Sequence, residues 1–355
     1  MLLAILLIGL MLDTQVLWRR NSTRPTMPSG TPPSYRVVVP IWGSLSYFKN
    51  RQALSYLGKN LVVVTVNIPK SQESELREIE RVHTVLRVPD AHNASRTATS
   101  CDPISLMLYA VLRVQADYYI RLDGDAVPQE HPSALVRAME LDKVSVASVS
   151  VRVHRSKLNA LSGLQELEYD MANRNRGHSH WMTSGACFAL SSGSAAFLAL
   201  IHSFWFEGED LEIGILADRH GLQVGHYDYP VMTLPPDTWA QWISQRIMWW
   251  TGAFRLGVVN ADKMWRRPLW LLYTTGIVWA ALAVKLVGLT SVLQWIAPMV
   301  ALYILLLYAM HWKLRNRWMI LYPVYSLTQV LFFPLLGMVR YVRQAKRRGD
   351  LGRIR

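Results

Sequence analysis

Cysteine is nearly missing from this chain. Two residues, Cys101 and Cys187, stand among 355. That is too few for a disulfide framework, and they lack the paired spacing of a zinc site, so both are expected to be buried thiols. Histidine offers no substitute: His178 and His180 lie close together without acidic or cysteine partners and are expected on an exposed loop. Acid is also scarce, with 25 Asp and Glu against 38 Lys and Arg, a net charge of +13 and a pI of about 9.9. The cations gather beside apolar runs and in the C-terminal tail, not among aromatics on a sheet face. That distribution excludes nucleic acid as a partner.

Apolar residues, by contrast, are abundant: 51% are hydrophobic and 14 are Trp. A basic, Trp-rich, apolar chain points to a membrane protein with basic flanks and to membrane lipids as partners. Leu2 to Leu12 is almost wholly apolar, and Arg19-Arg20 follow it. A signal peptide carries its charge before the apolar run, so residues 1–20 are expected to be a membrane anchor. Residues 21–35, rich in Ser, Thr, Pro and Gly, read as a linker.

Membrane segments are expected over residues 268–339. Leu269–Val284 is the heart of a first span and Val292–Met310 a second, with Lys263, Arg266 and Arg267 before them and Lys313, Arg315 and Arg317 after. The positive-inside rule puts these flanks, and the soluble domain, in the cytoplasm of an integral plasma-membrane protein. The sequons at Asn21 and Asn93 are then chance matches. The run Trp318–Val339 is interrupted by Pro323, Pro334 and Gly337 and is expected to be re-entrant or interfacial, which returns the basic tail, residues 340–355, to the cytoplasmic side.

Between the anchor and these segments, residues 36–240 have the pattern of an α/β domain. Strands are expected at Arg36–Val39 (ended by Pro40), Leu61–Val66, Thr84–Val88 and Tyr118–Leu122, with helical stretches at Gln52–Leu57, Glu73–Arg81 and Ile104–Val114. Such alternation implies βαβ units and a mainly parallel sheet with flanking helices, an architecture that binds nucleotides. Val144–Val153 alternates as a further strand with one polar or solvated face, and Leu164–Arg176 reads as a polar helix.

The stretch that organises the domain is Ala116–Pro128. A buried strand ends at Asp123-Gly124-Asp125, and in open α/β sheets ligands bind at the carboxyl ends of strands. Two carboxylates one residue apart can share a hard divalent cation that in turn holds phosphate oxygens. An Asp-Gly turn accounts for the same residues. Asp210 falls near the start of a helix, where an acid favours the helix dipole whether or not it has chemistry to do. Residues 241–267, with Gln241–Trp250 at their head, are expected to form an interfacial amphipathic helix.

Taken in order, LDGDAVP, LQELEYD, TSGACFAL, GEDLEIG and QRIMWW, followed by membrane segments, resemble the membrane-bound family 2 glycosyltransferases, which include the cellulose, chitin, hyaluronan and poly-N-acetylglucosamine synthases. The resemblance covers roughly residues 36–250 and implies a nucleotide-sugar-binding (GT-A-like) fold plus N- and C-terminal transmembrane helices. It implies that Asp123 and Asp125 bind the donor's diphosphate through Mg²⁺ or Mn²⁺ and that Asp210, after Glu209, is the catalytic base. Gln245 and Trp249 match the ends of the family's Q-x-x-R-W motif, which sits over the diphosphate and the acceptor sugar. Glu168 and Tyr169 match a Glu-Tyr pair to which no chemical role is assigned.

The departures are informative. The Arg of Q-x-x-R-W is Met248 here, and Arg246 is the cation expected to replace it. The acid that usually follows the second strand is Asn67, and the usual Gly-Lys-Ala stretch has only Ser95-Arg96-Thr97 as its counterpart. The implied activity is inverting transfer from a nucleotide-sugar, UDP-linked, onto a growing polysaccharide at the cytoplasmic face. Addition of a single sugar to a lipid or short oligosaccharide acceptor is the alternative. A homo-oligomer or a translocation partner is expected where the chain's own spans are few.

Overall fold

The computed structural model describes residues 31–89, 103–154, 159–265, 293–314 and 316–354. In chain order the main elements are β1 (Tyr35–Trp42), β2 (Leu61–Val66), α1 (Glu73–Val82), β3 (Thr84–Arg87), α2 (Pro103–Val111), β4 (Tyr118–Leu122), β5 (Ala126–Pro128), α3 (Pro132–Leu141), β6 (Val146–Val153), α4 (Ala160–His178), β7 (Cys187–Ser191), α5 (Ser192–Ile201), α6 (Glu209–Arg219), β8 (Val224–Thr233), α7 (Trp239–Val259), α8 (Leu293–Met310) and α9 (Tyr322–Arg348). The chain divides into two compact units. One draws on the described residues of 31–154 and 176–234 with Ile354, the other on those of 159–175 and 235–353. The expected N-terminal anchor, the Leu269–Val284 span and Cys101 lie outside the described residues.

The first unit is built on an eight-stranded sheet in the order β3-β2-β1-β4-β7-β6-β8-β5. Its first four strands are parallel, as alternating strands and helices require. Beyond β4 the expectation of a mainly parallel sheet needs correction. β7 is antiparallel to both β4 and β6, and β5 is antiparallel to β8, so the sheet is mixed. The cause is where β7 begins: Cys187 pairs with Leu122, so β7 enters at the edge where β4 ends and must run back.

Local residue chemistry accounts for the other differences. β1 continues through Pro40 to Trp42, because its pairing with β4 ends at Val38 and the missing proline N–H is not needed on that side. The 52–57 stretch forms turns and a short 3-10 segment, Ser55–Asn60, in place of a helix. β6 has no solvated face along most of its length: Ser148 and Ser150 are both buried, and Ser148 Oγ is 2.8 Å from His226 Nδ1. A serine is small enough to be buried once its hydroxyl is paired. Cys187 is a buried free thiol, pushed up to about 12 by that burial.

The second unit packs Leu161, Leu164 and Leu167 of α4 with Trp242 and Trp250 of α7, Leu307 of α8, and Tyr322, Tyr325 and Phe333 of α9. Helices α7 and α9 run side by side in the same direction: Trp242 meets Phe333 and Phe254 meets Tyr341. Gly337 is needed where they touch, because a Cβ there would stand 2.7 Å from the Trp250 carbonyl carbon. The expected break in the last apolar run is absent. α9 is continuous through Pro323, Pro334 and Gly337; Pro323 sits in its first turn, where no N–H is called for. Arg317–Arg348 is the one helical stretch among the described residues long and apolar enough to cross a membrane.

Candidate functional site

The strand order reverses between β1 and β4, and the carboxyl ends of such strands form a ligand crevice. Asp123 follows β4 directly. The Ala126 N–H donates to the Asp123 carbonyl at 3.0 Å, closing a tight turn over LDGD. Asn50 clasps this turn from below: its backbone N–H donates to the Gly124 carbonyl at 3.0 Å, and its side-chain amide donates to the Asp123 and Ala126 carbonyls. Gly124 is required by space, since a Cβ there would lie 2.4 Å from the Tyr47 carbonyl oxygen. The turn and the pair of acids are therefore one feature, not alternatives.

Asp210 comes to the same place by a different route. It is the second residue of α6, whose start is set by Gly208 in the left-handed region at φ 79°. The segment Thr183–Ala186 lies against it. The Gly185 N–H donates to Asp210 Oδ2 at 2.5 Å, and the Thr183 hydroxyl donates to the Asp210 carbonyl. Ala186 in turn accepts from the Asp123 N–H at 3.0 Å. Three separated motifs thus meet through one backbone–backbone hydrogen bond and two between backbone and side chain.

At their centre lies a residue not expected from its type. Arg121 is 2% exposed and donates from Nη2 to Asp123 Oδ1 at 2.8 Å. A Cβ on Gly185 would stand 3.2 Å from both Arg121 Nη1 and Asp210 Oδ2, so this glycine lets the cation and the second acid share one small space. Burial alone lowers an arginine's affinity for its proton, but the neighbouring Asp123, Glu209 and Asp210 outweigh it and hold the guanidinium above its ordinary value. The signal for Arg121 is present in the sequence, because residues two apart on a strand share a face.

Negative charge still exceeds positive charge here. Burial, with help from Asp125 and Asp210 and against the pull of Arg121, raises the Asp123 carboxyl to about 6. Asp125 is also raised by burial, while Lys49 and a 3.4 Å bond from the Thr233 hydroxyl act the other way. Among the described residues no three His, Cys, Asp or Glu side chains are arranged to ligate an ion by themselves. Asp123 and Asp125 nevertheless fit a hard cation that completes its shell with ligand oxygens, and the surplus charge favours one.

The remaining expected residues lie in the second unit, on α7. Trp249 is 41% exposed, with Tyr169 tilted against it at 6.2 Å between centroids. Gln245 is half-buried. Arg246, expected at the diphosphate, is instead 1% exposed and engaged inside this unit. Nη2 lies 2.5 Å from Glu168 Oε2, Nη1 donates to Gln245 Oε1 at 2.5 Å, and the guanidinium stacks 4.2 Å from the Trp249 ring centre. Spacing in the sequence carries this signal: Trp242, Arg246 and Trp250 are four apart and share the buried helix face.

The glycosyl transferase family group 2 model matches residues 120–312. No curated protein matches. Among solved structures, the mannosyltransferase PcManGT from Pyrobaculum calidifontis, in complex with GDP-Man and Mn²⁺, superposes with a TM-score of 0.59 at 15% identity, over 95% of this chain and 94% of that one. Glucosyl-3-phosphoglycerate synthase from Mycobacterium tuberculosis, in complex with Mn²⁺, uridine diphosphate and glucosyl-3-phosphoglycerate, gives 0.44 at 15% identity, over 67% and 87%. At such identities the mannosyltransferase likeness is one of fold, the α/β nucleotide-sugar-binding, GT-A-like fold with its mixed sheet.

Proposed function

The chain belongs to glycosyl transferase family group 2, and we propose that it moves a sugar from a nucleoside-diphosphate donor to an acceptor hydroxyl with inversion at the anomeric carbon. The observation that carries this reading is the convergence of Asp123, Asp125 and Asp210 around the buried Arg121. The mannosyltransferase of the same fold, bound to GDP-Man and Mn²⁺, supports a nucleotide-sugar and a divalent metal as ligands.

Asp210 is the base. Its Oδ2 is tied to the Gly185 N–H, which orients the carboxylate and leaves Oδ1 to take the proton of the attacking hydroxyl. Asp123 and Asp125 would hold Mg²⁺ or Mn²⁺, whose positive charge would offset the charge that builds on the departing diphosphate. Arg121 keeps Asp123 oriented from beneath, and Glu209 lies beside Asp210 at the start of α6. Within the second unit, Trp249 has an exposed aromatic face of the kind that stacks on a sugar ring, with the half-buried Gln245 on the same helix. One base and a direct displacement invert the anomeric centre.

The acceptor is a growing polysaccharide at the cytoplasmic face of the membrane, a reading supported by the long apolar stretch Arg317–Arg348 and its basic end. Transfer of one sugar to a lipid or short oligosaccharide is a second reading. Arg246 favours it: with Met248 in the usual arginine position, the arginine that remains is committed to Glu168. A panel of nucleotide-sugars with Mn²⁺ or Mg²⁺, assayed for nucleoside diphosphate release, tests the activity, and absence of release with every donor would overturn it. Gel filtration of the labelled product separates polymer from single addition.

A further inference from the structure

Four residues of the second unit, Trp242, Tyr325, Glu168 and Arg246, form a chain of hydrogen bonds that ends at Gln245, with Trp249 stacked on its arginine. The Trp242 indole N–H donates to the Tyr325 hydroxyl at 2.8 Å, and that hydroxyl donates to Glu168 Oε2 at 2.6 Å. The same Glu168 oxygen receives Arg246 Nη2 at 2.5 Å. Arg246 then uses its other end on Gln245 Oε1 and its flat face on Trp249. We infer that Tyr325, Glu168 and Arg246 are positioning residues, a relay that fixes Gln245 and Trp249 relative to α9.

The argument is one of geometry and cost. A guanidinium is planar, so holding Glu168 and Gln245 with its two arms fixes the plane on which the Trp249 ring rests. Trp242, Arg246 and Tyr325 are buried, Glu168 and Gln245 are partly covered, and Trp249 is exposed. In a buried network each member depends on the rest, because an unpaired charge or hydroxyl has no water to turn to. Tyr325 is the link to α9: it is 4% exposed, stacks on Trp242 at 4.9 Å and belongs to a helix that exposes Val324, Leu327, Phe332 and Leu335. A displacement of α9 along α7 would move the Tyr325 hydroxyl and, through Glu168 and Arg246, the Trp249 ring.

This inference rests on the acceptor reading only for its effect on transfer; the coupling can be measured without a substrate. The probe is the full chain in detergent, labelled with 5-fluorotryptophan, with the Trp249 ¹⁹F resonance assigned by loss in Trp249→Phe. Tyr325→Phe removes one hydroxyl, and Arg246→Lys keeps the charge but loses the fork. Both are expected to shift or broaden the Trp249 resonance, while the Trp205 resonance, buried in the other unit, stays in place. An unmoved Trp249 signal in both variants would overturn the relay. In transfer assays with the donor that the panel identifies, the same variants should raise the acceptor KM about tenfold, the scale of one hydrogen bond to a charged group, with the donor KM unchanged. A shifted resonance with an unchanged acceptor KM keeps the relay and overturns the acceptor role of Trp249. A general loss of stability would instead lower activity and leave both KM values alone.

Discussion

Arg121 donates a 2.8 Å hydrogen bond to Asp123, the residue just past the end of its strand, from a guanidinium almost out of reach of water. A buried cation beside three acids settles the character of the site: it orients one carboxylate and partly offsets the repulsion among them. Asp123 keeps part of its side chain in water, so removing Arg121 costs a charged hydrogen bond and leaves the neighbouring acids unscreened. Arg121→Met is therefore expected to destabilise the chain by about 1.5–3 kcal/mol, read from urea unfolding. Arg121→Lys should cost less. A methionine variant as stable as the parent would mean that the guanidinium does not hold these acids together.

Gly185 permits the approach of Arg121 and Asp210, so a methyl group there should separate them. The added Cβ, at 3.2 Å from Arg121 Nη1 and Asp210 Oδ2, forces a displacement of a few tenths of an ångström. Misplacement of a reacting group by about 1 Å can cost on the order of a hundredfold in rate, and Gly185→Ala should lose about tenfold in kcat. Donor affinity, measured by calorimetry with the nucleoside diphosphate, should be unaffected. An undiminished kcat would remove Gly185 from the account.

The role of Asp210 has a sharper test. Asp210→Asn keeps the acceptor oxygen for the Gly185 N–H but has no basicity. General-base catalysis contributes roughly 10²–10⁴ in rate, and transfer of radiolabelled sugar in membranes should fall by that much with donor binding intact. Turnover near the parent's would assign the base elsewhere.

The raised Asp123 carboxyl gives a pH dependence of definite sign. A carboxyl with a folded-state value of about 6 binds its proton more tightly folded than unfolded. Stability therefore falls as pH rises from the ordinary carboxylate range through about 6, and the penalty is complete above it. Asp125 adds in the same direction. A divalent cation relieves this penalty only where the acids are ionised. Mn²⁺ should raise the melting temperature much more at pH 7.5 than at pH 5, where protons compete for the same oxygens. At a hundredfold excess over its Kd the ion contributes about 2.7 kcal/mol. Equal shifts at the two pH values would place the ion away from Asp123 and Asp125.

Much of the frame is written in local patterns. β2 is six consecutive buried residues, LVVVTV, and β4 stops where Asp123 begins, both legible as short apolar runs ending in turn chemistry. Asp210 in the first turn of α6 and the helical course of Gln241–Trp250 follow from spacing and capping. The direction of β7 was not legible. Strand direction depends on the edge of the sheet at which the chain arrives, and Thr183–Ala186 arrives at the end of β4. The fate of Arg246 was half-legible: helical periodicity puts it on the buried face, but its partners Glu168 and Tyr325 lie 78 and 79 residues away.

By itself, then, the sequence determined which segments are strands and helices and which acids end them, because those choices are made by side chains within a few residues of one another. Tertiary structure alone decided that Glu209 and Asp210 would join Arg121 and Asp123, and that Arg246 would face Glu168. A buried charge takes whichever opposite charge the packing brings within reach, and that is set by how distant elements are laid together.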